Sequence, residues 1–233
     1  MNRLLPLVPM ALVALVFGFL GAWAFSFTGL GHSSTRAWLI ENPDILPEMA
    51  EAYQEGENRK RLAGISDELT RPFPGAVLGN PEGTITLVEF TDYACGFCRQ
   101  SVADVQALIA ANPDLKVVIR EWPIFQGSDI PARLALAAAK QGKYAAFHDA
   151  LFAGGPPTEA SMTAAANTAG LDIEAAKAFM GSPEAEAELE KNKQLAMQLG
   201  FEGTPGWVVG DKAFAGAVGR GEIGAAIEAA RGS

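Results

Sequence analysis

The sequence predicts an α/β domain built as βαβ, then a helical insertion, then ββα, with a short helical segment ahead of it. Three observations predict this. A strand-like run, residues 84–90, leads through Cys95-Gly96-Phe97-Cys98 into a helical run, 99–109, and a second strand-like run follows at 116–122. From Ser128 to Gly200 the chain reads as successive helices divided by Gly and Pro. Residues 207–216 then read as a hairpin, and 221–230 as a closing helix.

Taken in order, the chain begins with residues 1–30. Arg3 is followed by no charged residue until Arg36, and the apolar run at 8–20 lies between them. This reads as an export segment. Ala22-Trp23-Ala24 fits a small-x-small cleavage site, which makes 1–30 a removable signal peptide. The alternative is a retained signal anchor, because the uncharged run exceeds the ~20 residues that span a bilayer. Arg3 favours the N-terminus inside and the rest of the chain outside. Of the two, the anchor is favoured.

Residues 31–66 form a helical N-terminal segment. Gly29–Ser34 reads as a flexible spacer, with His32 a solvated linker residue, and Thr35 starts a helix that Asn42-Pro43 ends. Asn42 and Pro43 restart a helix. It carries Ile45, Leu46, Met49, Ala50 and Tyr53 at helical spacing, with Pro47 one turn in. Residues 55–61 are a charged, solvated end. So small a segment buries its apolar stripe only against the main domain or a second copy, so a homo-oligomer is one expectation.

The main domain is expected at 67–233, with its insertion at about 128–200. Residues 71–75 read as a linker, 76–79 as a short first strand and 80–83 as a turn. The 84–90 strand is apolar on both faces, so it belongs in the centre of a sheet. Glu89 shares the face of Ile85 and Leu87, which points to a buried carboxylate whose proton affinity burial raises. A helix between the 84–90 and 116–122 strands makes them parallel. In the insertion, Ser128 or Asp129 opens a helix ended by Gly142, and 144–152 forms the next. Thr158 opens one ended by Gly170, Asp172 one running to Met180, and Ser182-Pro183 one ended by Gly200. His148, among apolar neighbours, reads as structural.

The two cysteines of the motif are the only ones in the chain. A strand-to-helix junction puts Cys95 at a helix N-terminus, where free N–H groups and the helix dipole favour a negative charge. A thiolate is such a charge and is the reactive form of the side chain. Cys98 sits one turn on, within reach, so the pair is suited to cycling between dithiol and disulfide. A structural disulfide closing so short a loop removes little unfolded-chain entropy. A structural zinc site needs four ligands, and the only histidines are His32 and His148. Copper(I) held by the two thiolates is the metal-binding alternative. Half the residues are apolar, at 49%, enough for a sizeable core. The formal charge of −9 and the lack of a basic cluster argue against nucleic acid.

Phe90-Thr91-Asp92-Tyr93-Ala94-Cys95-Gly96-Phe97-Cys98 resembles the active site of the DsbA-like branch of the thioredoxin superfamily. The likeness runs on through 120–125, 144–152 and Gly203-Thr204-Pro205-Gly206, and 36–43 is similar to the N-terminal helices of ScsC-like members, some of which oligomerise there. The resemblance implies a thioredoxin fold with a helical insertion. It implies that Cys95 is the nucleophile, Cys98 the resolving thiol, and Glu89 a buried acid exchanging protons with Cys98. It implies a cis-proline loop at Thr204-Pro205 that, with Gly96 and Phe97, meets a substrate chain. No cofactor beyond the Cys95–Cys98 disulfide is implied. Implied partners are exported cysteine-containing proteins and a membrane redox protein that recycles the pair, in the periplasm, with the chain soluble or anchored to the inner membrane. Gly96-Phe97 replaces the commoner Pro-Tyr or Pro-His pair of the family, and that dipeptide tunes the redox poise. An oxidase is the expected activity, with an isomerase or reductase as runner-up.

Overall fold

A computed structural model describes residues 7–27 and 30–232, without the side chains of 7–12, Ala24, 26–27 and 30–34. The chain divides into two compact units, Met1–Gln54 and Glu55–Ser233.

In the first unit, α1 (Leu7–Phe27) is a helix without a charged residue. Among the described side chains no helix is long and apolar enough to cross a membrane; those of α1 are described only for 13–23 and Phe25. Arg3 lies outside the described residues. The spacer expected at 29–34 is instead helical from Leu30, as the start of α2 (Leu30–Glu41). No proline or turn-forming pair breaks that stretch, so its Gly and Ser residues continue the turn set by Thr35–Glu41. His32 falls among the side chains that are not described. Asn42 stands at the N-cap position of a new helical turn with Pro43 first in it, as expected, but its side chain does not cap. Its side-chain amide donates back to the Trp38 carbonyl at 2.8 Å, closing α2, and a single 3-10 turn, Pro43–Ile45, follows. The next helix, α3 (Leu46–Ala63), takes Pro47 in its first turn, where an N–H is not needed.

From Glu55 onward α3 belongs to the second unit. The expected solvated end is partly covered: 55–58 are half-buried, Leu62 is buried, and Arg61 donates to the Leu199 carbonyl at 3.0 Å. A short helix that the sequence pattern did not reveal, α4 (Ser66–Thr70), buries Leu69.

The sheet of the second unit is five-stranded, in the order β1-β3-β2-β4-β5. Its strands are β1 (Val77–Gly79), β2 (Ile85–Thr91), β3 (Leu115–Glu121), β4 (Gly206–Val209) and β5 (Lys212–Ala215). Only β2 and β3 are parallel, because α5 (Gly96–Ala111) crosses between them. The β4–β5 turn is Gly210-Asp211 rather than Asp211-Lys212: Gly210 takes a positive φ of 57° that a two-residue hairpin turn demands.

Side-chain alternation divides the sheet into two faces. Leu87, Val117, Ile119, Trp207 and Val209 face α5 and the first insertion helices, α6 (Asp129–Lys140) and α7 (Tyr144–Ala153), with α11 (Gly219–Arg231) on the same side. Val88, Phe90, Val118, Trp122 and Val208 pack with Leu62, Leu69, Phe201 and the end of α10 (Pro183–Leu199). Between α7 and α10 in the chain come α8 (Glu159–Ala169) and α9 (Ile173–Met180), whose buried residues join the first of these faces. Local chemistry sets these helix ends. Thr158, Asp172 and Ser182 each accept a backbone N–H at the N-cap, and Gly170 and Gly200 end their helices in the left-handed region. Arg120, opposite in direction to Glu121 on β3, is fully buried. Its guanidinium meets Glu188 at 3.0 Å, Asn192 at 3.1 Å and the carbonyls of Glu68, Leu69 and Arg71, tying α4 to α10.

Candidate active site

The site stands at the C-terminal end of β2, where the chain leaves the sheet and enters α5. Cys95 occupies the N-cap position of α5, and its backbone N–H donates to the Asp92 carbonyl at 3.0 Å. Cys98 lies in the first turn, fully buried. Both cysteines are free thiols. The four N-terminal amides of α5 have no partner within the helix, and the Cys95 sulfur sits at that end of it.

Across from the sulfur is the loop entering β4. The Cys95 thiol donates to the Thr204 carbonyl at 3.2 Å, and the Thr204–Pro205 peptide is cis. Thr204 and Pro205 are buried, as is Gly206. A Cβ on Gly206 would come within 2.7 Å of the Phe201 ring, so glycine lets this loop lie close to the core. Gly96 and Phe97 lie on the outside: Phe97 is 60% exposed, and a Cβ on Gly96 would meet nothing within 4 Å.

Asp92 holds the other wall. Its buried carboxylate accepts the amides of Ala94 at 2.8 Å and Ile124 at 2.7 Å, and the Ser128 hydroxyl at 2.7 Å. Ser128 or Asp129 was expected to open α6, and the helix does begin at Asp129 with Ser128 at the N-cap position. The Ser128 hydroxyl, however, is drawn to Asp92 and does not cap. The result brings Ile124 and Phe125, 39% and 49% exposed, beside the loop that carries Cys95.

Below the motif the environment is dry and acidic. Glu89 is buried on the Leu87 face, and burial pushes its carboxyl up to about 8. Cys98 is pushed strongly upward, first by burial and then by the charge of Glu89. Glu121 is also fully buried, two residues along the neighbouring strand, and burial raises it to about 8 as well. One of its oxygens accepts the hydroxyls of Tyr144 at 2.6 Å and Tyr93 at 3.2 Å. His148 is buried against the rings of Tyr93, Tyr144 and Phe152.

The structure therefore brings Cys95, Cys98, Glu89, Thr204 and Pro205 together. Sequence reasoning gave no role in the site to Asp92, Tyr93, Glu121, Tyr144 or Ser128. For Glu121 a signal existed: it follows the apolar run Val117-Val118-Ile119 at the alternation that points it inward. Among the described residues no group of three or more His, Cys, Asp or Glu side chains is arranged to hold a metal ion.

A five-stranded mixed sheet with a Cys-x-x-Cys at the start of the helix after its central strand, faced by a cis-proline loop, defines a thioredoxin fold. Residues 127–223 match the DSBA-like thioredoxin domain family. A crystal structure of a thioredoxin-like oxidoreductase from Silicibacter pomeroyi DSS-3 is 43% identical, covering 72% of this chain and 98% of that one, with a TM-score of 0.66. The chain belongs to the DsbA-like thioredoxin superfamily. A linker-deletion variant of ScsC from Proteus mirabilis shares the fold at 24% identity, covering 86% of this chain and 93% of that one, with a TM-score of 0.68. A Na(+)/H(+) antiporter NhaA of Herminiimonas arsenicoxydans is 28% identical over 77% of this chain. This chain spans only 29% of that protein's length.

Proposed function

We propose that this protein is a periplasmic thiol:disulfide oxidase that donates disulfides to exported cysteine-containing proteins. The observation that carries the reading is the placement of Cys95: an N-cap sulfur above a buried partner thiol, opposite the cis-proline loop.

In the proposed cycle a substrate thiolate attacks Cys95 of the Cys95–Cys98 disulfide. The bond between the two enzyme sulfurs breaks, and its electron pair leaves on Cys98. In a dry site that charge is costly, and Glu89 supplies a proton to it. A second substrate thiolate then attacks the substrate sulfur of the mixed disulfide. The product leaves oxidised, and the electron pair stays on Cys95 as a thiolate favoured by the α5 N-terminus. A couple whose reduced form is stabilised in this way is oxidising. Thr204, Pro205, Gly96 and Phe97 line the approach, and the exposed Phe97, Ile124 and Phe125 suit an unfolded chain with apolar side chains. A membrane redox partner recharges the pair, and residues 1–30 export the chain and hold it at the inner membrane.

One experiment addresses activity and placement together. Cell fractions are assayed for thiol oxidation and insulin reduction, and the protein in each is sequenced from its N-terminus. Activity is expected with membranes, on a chain beginning at Met1, and lost in Cys95→Ser. Activity that survives Cys95→Ser would overturn the mechanism; a soluble chain beginning near Phe25 would overturn the anchor alone.

A further inference from the structure

Among the buried titratable groups that the mechanism leaves unused is Glu121. Glu121 is 0% exposed and lies on the sheet face that carries Glu89 and receives Cys98. The parallel register pairs Glu89 with Ile119 and Thr91 with Glu121, so the two acids are diagonal neighbours on adjacent strands. Both tyrosine hydroxyls go to the same Glu121 oxygen, and its other oxygen is buried with no hydrogen-bond partner among the described residues. An ionised carboxylate left so poorly satisfied is expensive, and a second one nearby more so.

The groups facing Glu121 offer little relief. From β2 come Glu89 and, beyond it, Asp92, whose charges both oppose ionisation. The loop after β2 contributes Tyr93, and α7 contributes Tyr144 with His148 behind them, itself paired with Asp149 at 3.2 Å. From α5 come Cys98 and Arg99, and the Arg99 guanidinium bonds the Tyr93 carbonyl at 3.5 Å rather than either acid. Arg120 points to the opposite sheet face and is engaged by Glu188. On α10, Asn192 reaches only the Glu121 main-chain carbonyl, at 3.1 Å.

We infer that Glu121 is a second proton-holding acid of the redox site, titrating as a pair with Glu89 and setting how readily Glu89 takes the proton from Cys98. The inference rests on the proposed exchange mechanism, in which Glu89 serves Cys98. When Cys98 resolves a mixed disulfide its proton passes to ionised Glu89, and the Cys98 thiolate then displaces the substrate sulfur from Cys95. Repulsion between two carboxylates is mutual, so the protons leave the pair in two coupled steps. Glu121 does not touch the reacting sulfurs; it is a positioning residue that acts through Glu89. Its tyrosine donors fix the carboxylate and bias which oxygen holds the proton.

The test is the pH dependence of peptide release from the Cys95–peptide mixed disulfide. Reduced full-length protein is mixed with a glutathione-capped peptide, and the reaction is followed by acid quench. Each acid's charge delays ionisation of the other, so Glu121→Gln lets Glu89 complete its ionisation at lower pH and moves the midpoint down. Release at about pH 8.5 should be up to ~2-fold faster than in wild type, and unchanged at about pH 6.5, where both acids hold their protons. Tyr144→Phe removes the shorter donor to Glu121, favours its neutral form, and should move the midpoint in the same direction; it gives the reading if Glu121→Gln does not fold. In a Glu89→Gln background the Glu121 substitution should shift nothing. Profiles that superimpose, or a midpoint that moves upward, overturn the inference while the exchange mechanism stands. A Glu89→Gln profile identical to wild type overturns the assignment of Glu89 and this inference with it.

Discussion

At the residue scale, the decisive contrast is between two sulfurs three positions apart. Cys95 faces a carbonyl at the mouth of the site, and Cys98 is shut into the core above Glu89. The same burial has a cost in stability. Glu89 and Glu121 hold their protons more tightly folded than unfolded, with carboxyls raised from 4.5 to about 8. Between those values the folded state binds more protons than the unfolded state, so stability falls as pH rises through that window. Glu89→Gln cannot ionise and should escape the loss. Urea unfolding of the reduced protein should show the variant little different at about pH 4.5, and more stable than wild type by roughly 1–3 kcal/mol at about pH 9. A difference that shrinks with rising pH would contradict the buried-acid assignment.

At the element scale, what was legible in the sequence is what local chemistry dictates. Thr158, Asp172 and Ser182 cap through hydrogen bonds spanning three residues, so the insertion helices could be placed from short windows. The β2 strand and α5 were legible because period-2 and period-3.6 patterns meet at the two cysteines. Contacts distant in sequence were not. Asp92 draws Ser128 across 36 positions, and Tyr144 reaches Glu121 across 23, and neither pairing leaves a local mark. Arg120 is the extreme case. In a strand of apolar residues it looks like an edge charge, yet it is buried and gathers α4 and α10 around one guanidinium. Its removal leaves three carbonyls without their donor and Glu188 with Lys191 alone, so Arg120→Ala should cost about 3 kcal/mol or more in denaturant unfolding. A loss below ~1 kcal/mol would show that this network does not hold the two helices.

At the scale of the whole molecule, the order βαβ, insertion, ββα follows from where the strands must pair. The βαβ crossover makes β2 and β3 parallel, and the hairpin returns β4 antiparallel to β2, which carries the Thr204-Pro205 loop to the sulfur. The site is therefore assembled from both halves of the fold, with the insertion supplying Tyr144 and His148 behind it. That arrangement explains why Thr204 could be assigned before the structure only through family resemblance. No local pattern joins it to a cysteine 109 positions earlier.

The claim on which the account depends is that this fold makes Cys95–Cys98 an oxidising couple. Equilibrating the purified protein with glutathione buffers, and counting the dithiol and disulfide forms by acid trapping, measures it directly. The account predicts a single two-electron couple at about −180 mV or above, where isomerases and oxidases lie. A potential near −270 mV, typical of a reductant, or a pair that never closes to a disulfide, would contradict it.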